Sequence, residues 1–282
     1  MQEVEQWMAD PSIIRGIGTG WRRLDYLIDG LAPTRLHILK AHTSQGKSLF
    51  TQNIARHAAN NGTPVLLFTT EMGRAEVVER LLFMEAGLDR QARRSDGFVS
   101  AEHAIRVRDA GLRLGDAPIY ICDLGGLSLA TIRTEARRRR LSNGVGLVIV
   151  DHLQMVSGRG DSRVEQMSAV TSGLKALAQD EAIPIIAVSH VARDATGALR
   201  GKWSGSIEGD ANVLLEMTAV QFTGGEWKNL TEQDAYDWMR RHGFLNVRIA
   251  VTKNRSGMRG SLILRMQWSE GGRFYEVKED EE

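Results

Sequence analysis

One cysteine, five prolines, 6% aromatic residues and a formal net charge of +1 are all that 282 residues supply of these features. The lone Cys122 excludes an internal disulfide and any zinc ribbon built on paired cysteines, and its setting in the run IYIC reads as a buried strand residue. No apolar stretch is long enough to span a bilayer, and the opening MQEVEQWMADP is acidic and polar where a secretory leader is basic and then apolar. The expected location is therefore the cytoplasm. A charge near zero gives no compositional argument for a polyanionic partner, so any surface for one has to be local. The densest basic run, Arg137 to Arg140, closes a helical pattern with Gly144 just beyond it and reads as a solvated helix end. The closing KEDEE reads as a solvated acidic tail over 278–282.

The rest, 42% hydrophobic and 25% charged, is the composition of an ordinary globular domain. Short apolar, β-branched runs recur between helical patterns: RLHIL, PVLLFT from Pro64, IYIC from Ile119, GLVIVD from Gly146 and PIIAVSH from Pro184. Runs apolar at nearly every position suit strands covered on both faces, with helices over 49–60, 74–86, 129–141 and 164–181 as the cover. Beyond Gly205 the rhythm changes to strands at 213–222, 244–252, 261–268 and 274–277 with little helix between them. The expected fold is α/β: a mainly parallel sheet flanked by helices, with an antiparallel C-terminal extension. One domain over 15–277 follows an N-terminal linker segment, 1–14.

Residues 41–48 read AHTSQGKS, after one apolar run and before a helical pattern. Strand, loop and helix in that order form a phosphate cradle. Backbone N–H groups around Ser44 and Gly46 would face the phosphates, Lys47 would reach the β and γ oxygens, and the Ser48 hydroxyl would ligate Mg²⁺. A nucleoside triphosphate is the first ligand to expect, although Ala41 stands where the generic motif has glycine. In open α/β sheets ligands sit beyond the carboxyl ends of the strands. Three further strand ends carry suitable chemistry there. Asp151, after four apolar residues, has the form of a Walker B carboxylate that helps hold the metal. Glu71 is placed to orient or deprotonate an attacking water, or to complement a helix N-terminus. His190 is placed to donate to a γ-phosphate, or to serve as an ordinary strand-end residue.

Together these strings resemble the ATPase domain of DnaB-like replicative helicases, a ring-forming group with a RecA-like core. The likeness rests on TGWRRLDYLIDGL, AHTSQGKS, TEMGRAEVVERLL, VIVDHLQM, GRGDSRVEQMS, LKALAQDEAIPIIAVSHVAR, GSIEGDAN and TKNRSGMRG, in that order along the chain. In this group alanine at the Ala41 position is itself usual.

The resemblance implies ATP and Mg²⁺ as ligands, with Ala41, Ser44, Gly46, Lys47, Ser48 and Asp151 around them. It implies Glu71 as catalytic carboxylate and His190 as γ-phosphate sensor, where many relatives have glutamine. Lys253 and Arg255 resemble the basic pair that a neighbouring subunit inserts as sensor and arginine finger, which demands an oligomer, expected as a hexamer. Loops 157–164 and 192–206 resemble DNA-contacting loops, with Arg159, Arg163, Arg200, Lys202 and Gly205 as candidate contacts to phosphates of any sequence. The implied activity is an ATP-driven motor that moves along single-stranded DNA and separates forked duplexes, with 5′–3′ polarity expected from the family alone. Primase, polymerase or loader proteins are the further partners it suggests. The alternative is a RecA-like ATPase that binds single strands without unwinding.

Overall fold

The computed structural model describes residues 14–90, 100–190, 208–277 and the backbone of 192–193 and 199–200. Five parallel strands follow the sequence expectation closely: β1 (Leu36–Ala41), β2 (Val65–Thr69), β3 (Ile119–Cys122), β4 (Leu147–Asp151) and β5 (Ile185–His190). A short pair, β6 (Ala192–Arg193) and β7 (Leu199–Arg200), stands apart from the main sheet. The C-terminal extension is β8 (Val213–Thr223), β9 (Glu226–Asn229), β10 (Phe244–Asn254), β11 (Gly260–Gln267) and β12 (Arg273–Glu276). The sheet runs β12-β11-β10-β8-β1-β5-β4-β2-β3, with β9 paired to β8. β8 lies parallel to β1 and antiparallel to β10, so the sheet turns antiparallel one strand beyond β1.

The period of two along each strand divides its residues between two cores. Leu39, Val65, Leu67, Leu147, Ile149 and Ile186 face one of them, with helices α1 (Arg22–Ile28), α2 (Lys47–Asn60) and α3 (Arg74–Ala86). Leu36, Ile38, Leu66, Val148, Val150 and Ile185 face the other, where α5 (Leu129–Asn143) and α6 (Arg163–Asp180) pack. The same alternation puts Asp151 and His190 on the α2 side of the sheet, two residues on from Ile149 and four on from Ile186. Ser128 and Ser162 cap the first turns of α5 and α6, Ser162 in a reciprocal box with Glu165.

Three helices escaped the sequence reading, the short α1, α4 (Ala101–Asp116) and α7 (Glu232–His242). Of these, α4 and α7 are one-sided amphipathic helices, each with a single fully buried residue, Ala110 and Ala235, and partly buried apolar neighbours at helical spacing, Val107 and Leu114 in α4 and Trp238 and Met239 in α7. Cys122 corrects an expectation: it is in a strand, but β3 is the sheet edge and the thiol is half-buried. The basic run behaves as expected, with Arg137, Arg138 and Arg139 paired to Asp180, Glu181 and Glu135 and Gly144 closing α5. Most of the linker segment and the acidic tail fall outside the described residues.

The C-terminal strands brace α2. The Phe50 ring stacks on Trp21 with centroids 4.7 Å apart, Phe274 meets both edge-on, and the Trp21 indole donates to the Phe274 carbonyl. Asn53, nearly buried, donates to the carbonyls of Leu49 and Gly272 and accepts from the Phe274 N–H. Asn53→Ala strands an amide and a carbonyl in the core and is expected to cost about 1–3 kcal/mol. Thermal unfolding checks this, and an unchanged midpoint would remove Asn53 as the brace between α2 and β12.

Candidate active site

The loop from β1 into α2 takes its shape from two left-handed residues, Ser44 at φ 62° and Gly46 at φ 86°. The positive φ is what calls for glycine at Gly46, and a Cβ there would also press 2.9 Å from the Met266 sulfur, which would have to give. The Gln45 side chain accepts from the His42 N–H, and the Lys47 ammonium, at the first turn of α2, donates to the His42 carbonyl. Lys47 is 5% exposed. Burial pushes its pKa down to about 8, against the opposing fields of Asp151, Glu71 and Glu232. Ala41 closes β1, fully buried.

Asp151 ends β4 directly across from this loop. Burial raises its carboxyl pKa, opposed by a hydrogen bond from the Ser48 side chain and the fields of His152 and Lys47. The Ser48 hydroxyl and the Asp151 carboxylate are therefore adjacent hard oxygen donors, the set that suits Mg²⁺. Glu71 follows β2, on a turn fastened to β4. The Thr70 N–H and hydroxyl both donate to the Asp151 carbonyl, at 3.0 and 3.1 Å, and the Thr70 hydroxyl accepts from the His152 N–H. The Glu71 carboxylate stays exposed, 3.7 Å from the His152 imidazole.

His190 ends β5. Gln154 accepts from its N–H and donates to its carbonyl and to Ser189, so the side chain of one residue fixes the end of the neighbouring strand. The His190 and His152 rings meet edge to face, with centroids 4.2 Å apart. Burial, with Lys47 and His152 beside it, pushes His190 down to about 4, and burial also lowers His152. Both imidazoles are neutral at pH 7. Sequence reasoning missed His152, Gln154 and the pinning role of Thr70. The signal for His152 was its place immediately after the Walker B carboxylate, where backbone alternation alone does not fix its direction.

The remaining candidates divide. Lys253 and Arg255 do not join the phosphate loop. Register sets Lys253 level with Leu214, and Leu214 level with Ile38, so the pair lies toward the start of β1. Arg255 is about 15 Å along the strand direction from the Ala41 end, at ~3.3 Å per residue. There Lys253 donates to the Glu208 and Gly209 carbonyls and Arg255 to the Gly209 carbonyl at 2.7 Å. Arg159 is exposed, while Arg163 opens α6 and donates to the Gln154 carbonyl and the Gln166 side chain. The Arg200 backbone lies in β7, and its side chain, Lys202 and Gly205 lie outside the described residues.

Residues 16–274 match the family model described as the DnaB-like helicase C terminal domain. The chain is 36% identical over 225 residues to the replicative DNA helicase DnaB of Leifsonia xyli subsp. xyli, covering 76% of this chain and 49% of that one. It is 31% identical over 237 residues to the replicative DNA helicase DnaC of Bacillus subtilis, covering 80% and 52%. The chain thus spans about half the length of these curated relatives. Among solved structures, an isolated ATPase domain superposes with a TM-score of 0.82 at 23% identity, over 98% of this chain and 96% of that one. A DnaB-like replicative helicase, studied with its interactions with primase, gives 0.81 at 23% identity, over 98% and 65%. At that identity both likenesses speak for the fold, which is RecA-like as expected.

Proposed function

The chain belongs to the family of DnaB-like helicase C-terminal domains, and from that premise we propose that it is an ATP-hydrolysing motor that moves along single-stranded DNA and separates duplexes. The observation that carries this reading is a division of labour across the sheet. Lys47, Ser48, Asp151, Glu71 and His190 gather at the carboxyl ends of the parallel strands, while Lys253 and Arg255 sit at the opposite end. One chain can bind a triphosphate but cannot bring its own arginine to it. A ring of identical chains, a hexamer by family likeness, brings the Arg255 end of one subunit to the nucleotide of the next.

Within the site, Lys47 and the loop N–H groups would hold the phosphates, and Ser48 and Asp151 would hold Mg²⁺. The metal would neutralise charge on the β- and γ-phosphate oxygens. Glu71, with its carboxylate open to solvent, takes the proton of the attacking water. His190, neutral, donates one N–H toward the γ-phosphate, and its strand end is coupled through Gln154 to Arg163 at the foot of loop 157–164. That linkage joins the nucleotide side of the sheet to a candidate DNA loop through two side chains. Arg159, Arg200 and Lys202 are proposed phosphate contacts on the strand. The primase named with one structural relative suggests a primase partner here as well.

Hydrolysis with and without single-stranded DNA, run beside a forked-duplex assay, tests the reading. Stimulated hydrolysis with strand separation is expected. Stimulation without separation would favour a single-strand-binding ATPase instead. Glu71→Gln is expected to lower turnover ~10²–10⁴-fold with ATP affinity retained, the range for loss of a general base. Near-normal turnover in that variant would take Glu71 out of the chemistry.

A further inference from the structure

The nitrogen atoms beside the catalytic carboxylate have no use in the mechanism above that accounts for both of them. Glu71, His152 and His190 each offer one ligand atom, and these three atoms lie within 4.8 Å of one another. The His152 side chain is 6% exposed, its Nδ1 is buried without a hydrogen-bond partner among the described residues, and that atom faces the Glu71 carboxylate at 3.7 Å. A buried polar atom left unpaired is costly, and in a group of ligating side chains it points to a ligand.

We propose that Glu71, His152 and His190 bind a divalent transition-metal ion of the zinc class, at a site separate from the Ser48 and Asp151 oxygens, and that its occupancy halts hydrolysis. Two imidazoles and one carboxylate form a donor set that zinc, cobalt and ferrous iron accept. Magnesium prefers oxygen ligands throughout, so the two sites sort the ions by donor chemistry. Bonds of ~2.1 Å at tetrahedral angles place ligand atoms about 3.4 Å apart. Closing from the observed spacing takes a movement on the order of 1 Å, and the Glu71 side chain, 58% exposed, has the freedom to make it. His152 and His190 are already set at fixed positions by the ends of β4 and β5. A metal-bound Glu71 no longer accepts a proton, and a metal-bound His190 no longer addresses the γ-phosphate. The inhibitory half of the proposal rests on the motor reading; the binding half does not.

The test uses the full chain stripped of metal with a chelator and titrated with Co²⁺ in the absence of nucleotide. Visible absorption typical of low-coordinate Co²⁺ is expected to saturate at one ion per chain and to be displaced by Zn²⁺. His190→Gln and Glu71→Gln, at positions that are half-buried and exposed, should each weaken binding by at least about tenfold, while His242→Gln on the remote face of α7 should not. His152→Phe gives the third arm where it folds. In Mg²⁺-ATP, Zn²⁺ should suppress wild-type hydrolysis in step with occupancy, and chelation should restore it. Metal uptake unchanged in the His190 and Glu71 variants, or full hydrolysis at full occupancy, overturns the proposal. A chain that hydrolyses no ATP with Mg²⁺ and chelator present refutes the motor reading instead, and the cobalt titration still decides the metal site.

Discussion

Arg255→Ala is expected to lower DNA-stimulated ATP turnover by ~10³–10⁵-fold, about 4–7 kcal/mol of barrier, while ATP still binds. The size follows from what a guanidinium does in phosphoryl transfer. Negative charge spreads over the γ-phosphoryl oxygens in the transition state, and a fixed cation there is worth far more than in water. The register of β1, β8 and β10 puts Arg255 at the opposite end of the sheet from Lys47, so in the proposed ring the effect passes between chains. Mixing supplies the decisive measurement. Arg255→Ala chains keep Glu71, and Glu71→Gln chains keep Arg255. Random assembly of equal amounts rebuilds about one complete site in four at the subunit boundaries. The mixture should therefore hydrolyse ATP well above either parent. A mixture no more active than its components would sink the shared site. Arg255 is exposed and its guanidinium contacts one carbonyl among the described residues, that of Gly209, so thermal unfolding of the alanine variant should stay near wild type.

The parallel half of the fold was legible because strands buried on both faces announce themselves as continuous apolar runs. RLHIL, PVLLFT, GLVIVD and PIIAVSH became β1, β2, β4 and β5 with boundaries shifted by a residue or so. Their last residues, Asp151 and His190, then fell at one edge by topology alone. Helices α4 and α7 do carry apolar residues at helical spacing, Val107, Ala110 and Leu114 in one and Ala235, Trp238 and Met239 in the other, but these are spread among many charged residues, and a reading keyed to continuous apolar runs passed over them. The site was legible where chemistry sits at a strand end and illegible where it depends on tertiary hydrogen bonds. Gln154 gripping β5 and Thr70 gripping β4 join residues 36 and 81 positions apart, and no local pattern carries such pairings. A trans role for Arg255 is what the family likeness implies, while the distance of Arg255 from Ala41 along the sheet, with which that role is consistent, is visible only in the pairing register.

Lys47→Ala is expected to abolish hydrolysis and, unlike Arg255→Ala, to weaken ATP binding as well. Lys47 is a cation buried within the phosphate loop itself, and only its ammonium form attracts phosphate. Burial costs that form part of its stability, which is why its pKa falls to about 8. The sign of the pH effect follows. Below pH 8 the group is charged and competent; as pH rises through 8 it loses its proton, and bound phosphate has to restore it at the expense of affinity. From pH 7.5 to 9 the charged fraction of the free protein falls from about three-quarters to about one-tenth, so ATP affinity should weaken roughly eightfold. Equilibrium binding of a nonhydrolysable analogue across that range makes the comparison free of turnover. Lys47→Ala should show weak binding with a flat profile, and Lys47→Arg, charged throughout, should flatten the profile as well. A wild-type profile that stays level to pH 9 would mean that Lys47 keeps its proton in the free chain, and that the fields of Asp151 and Glu71 outweigh its burial.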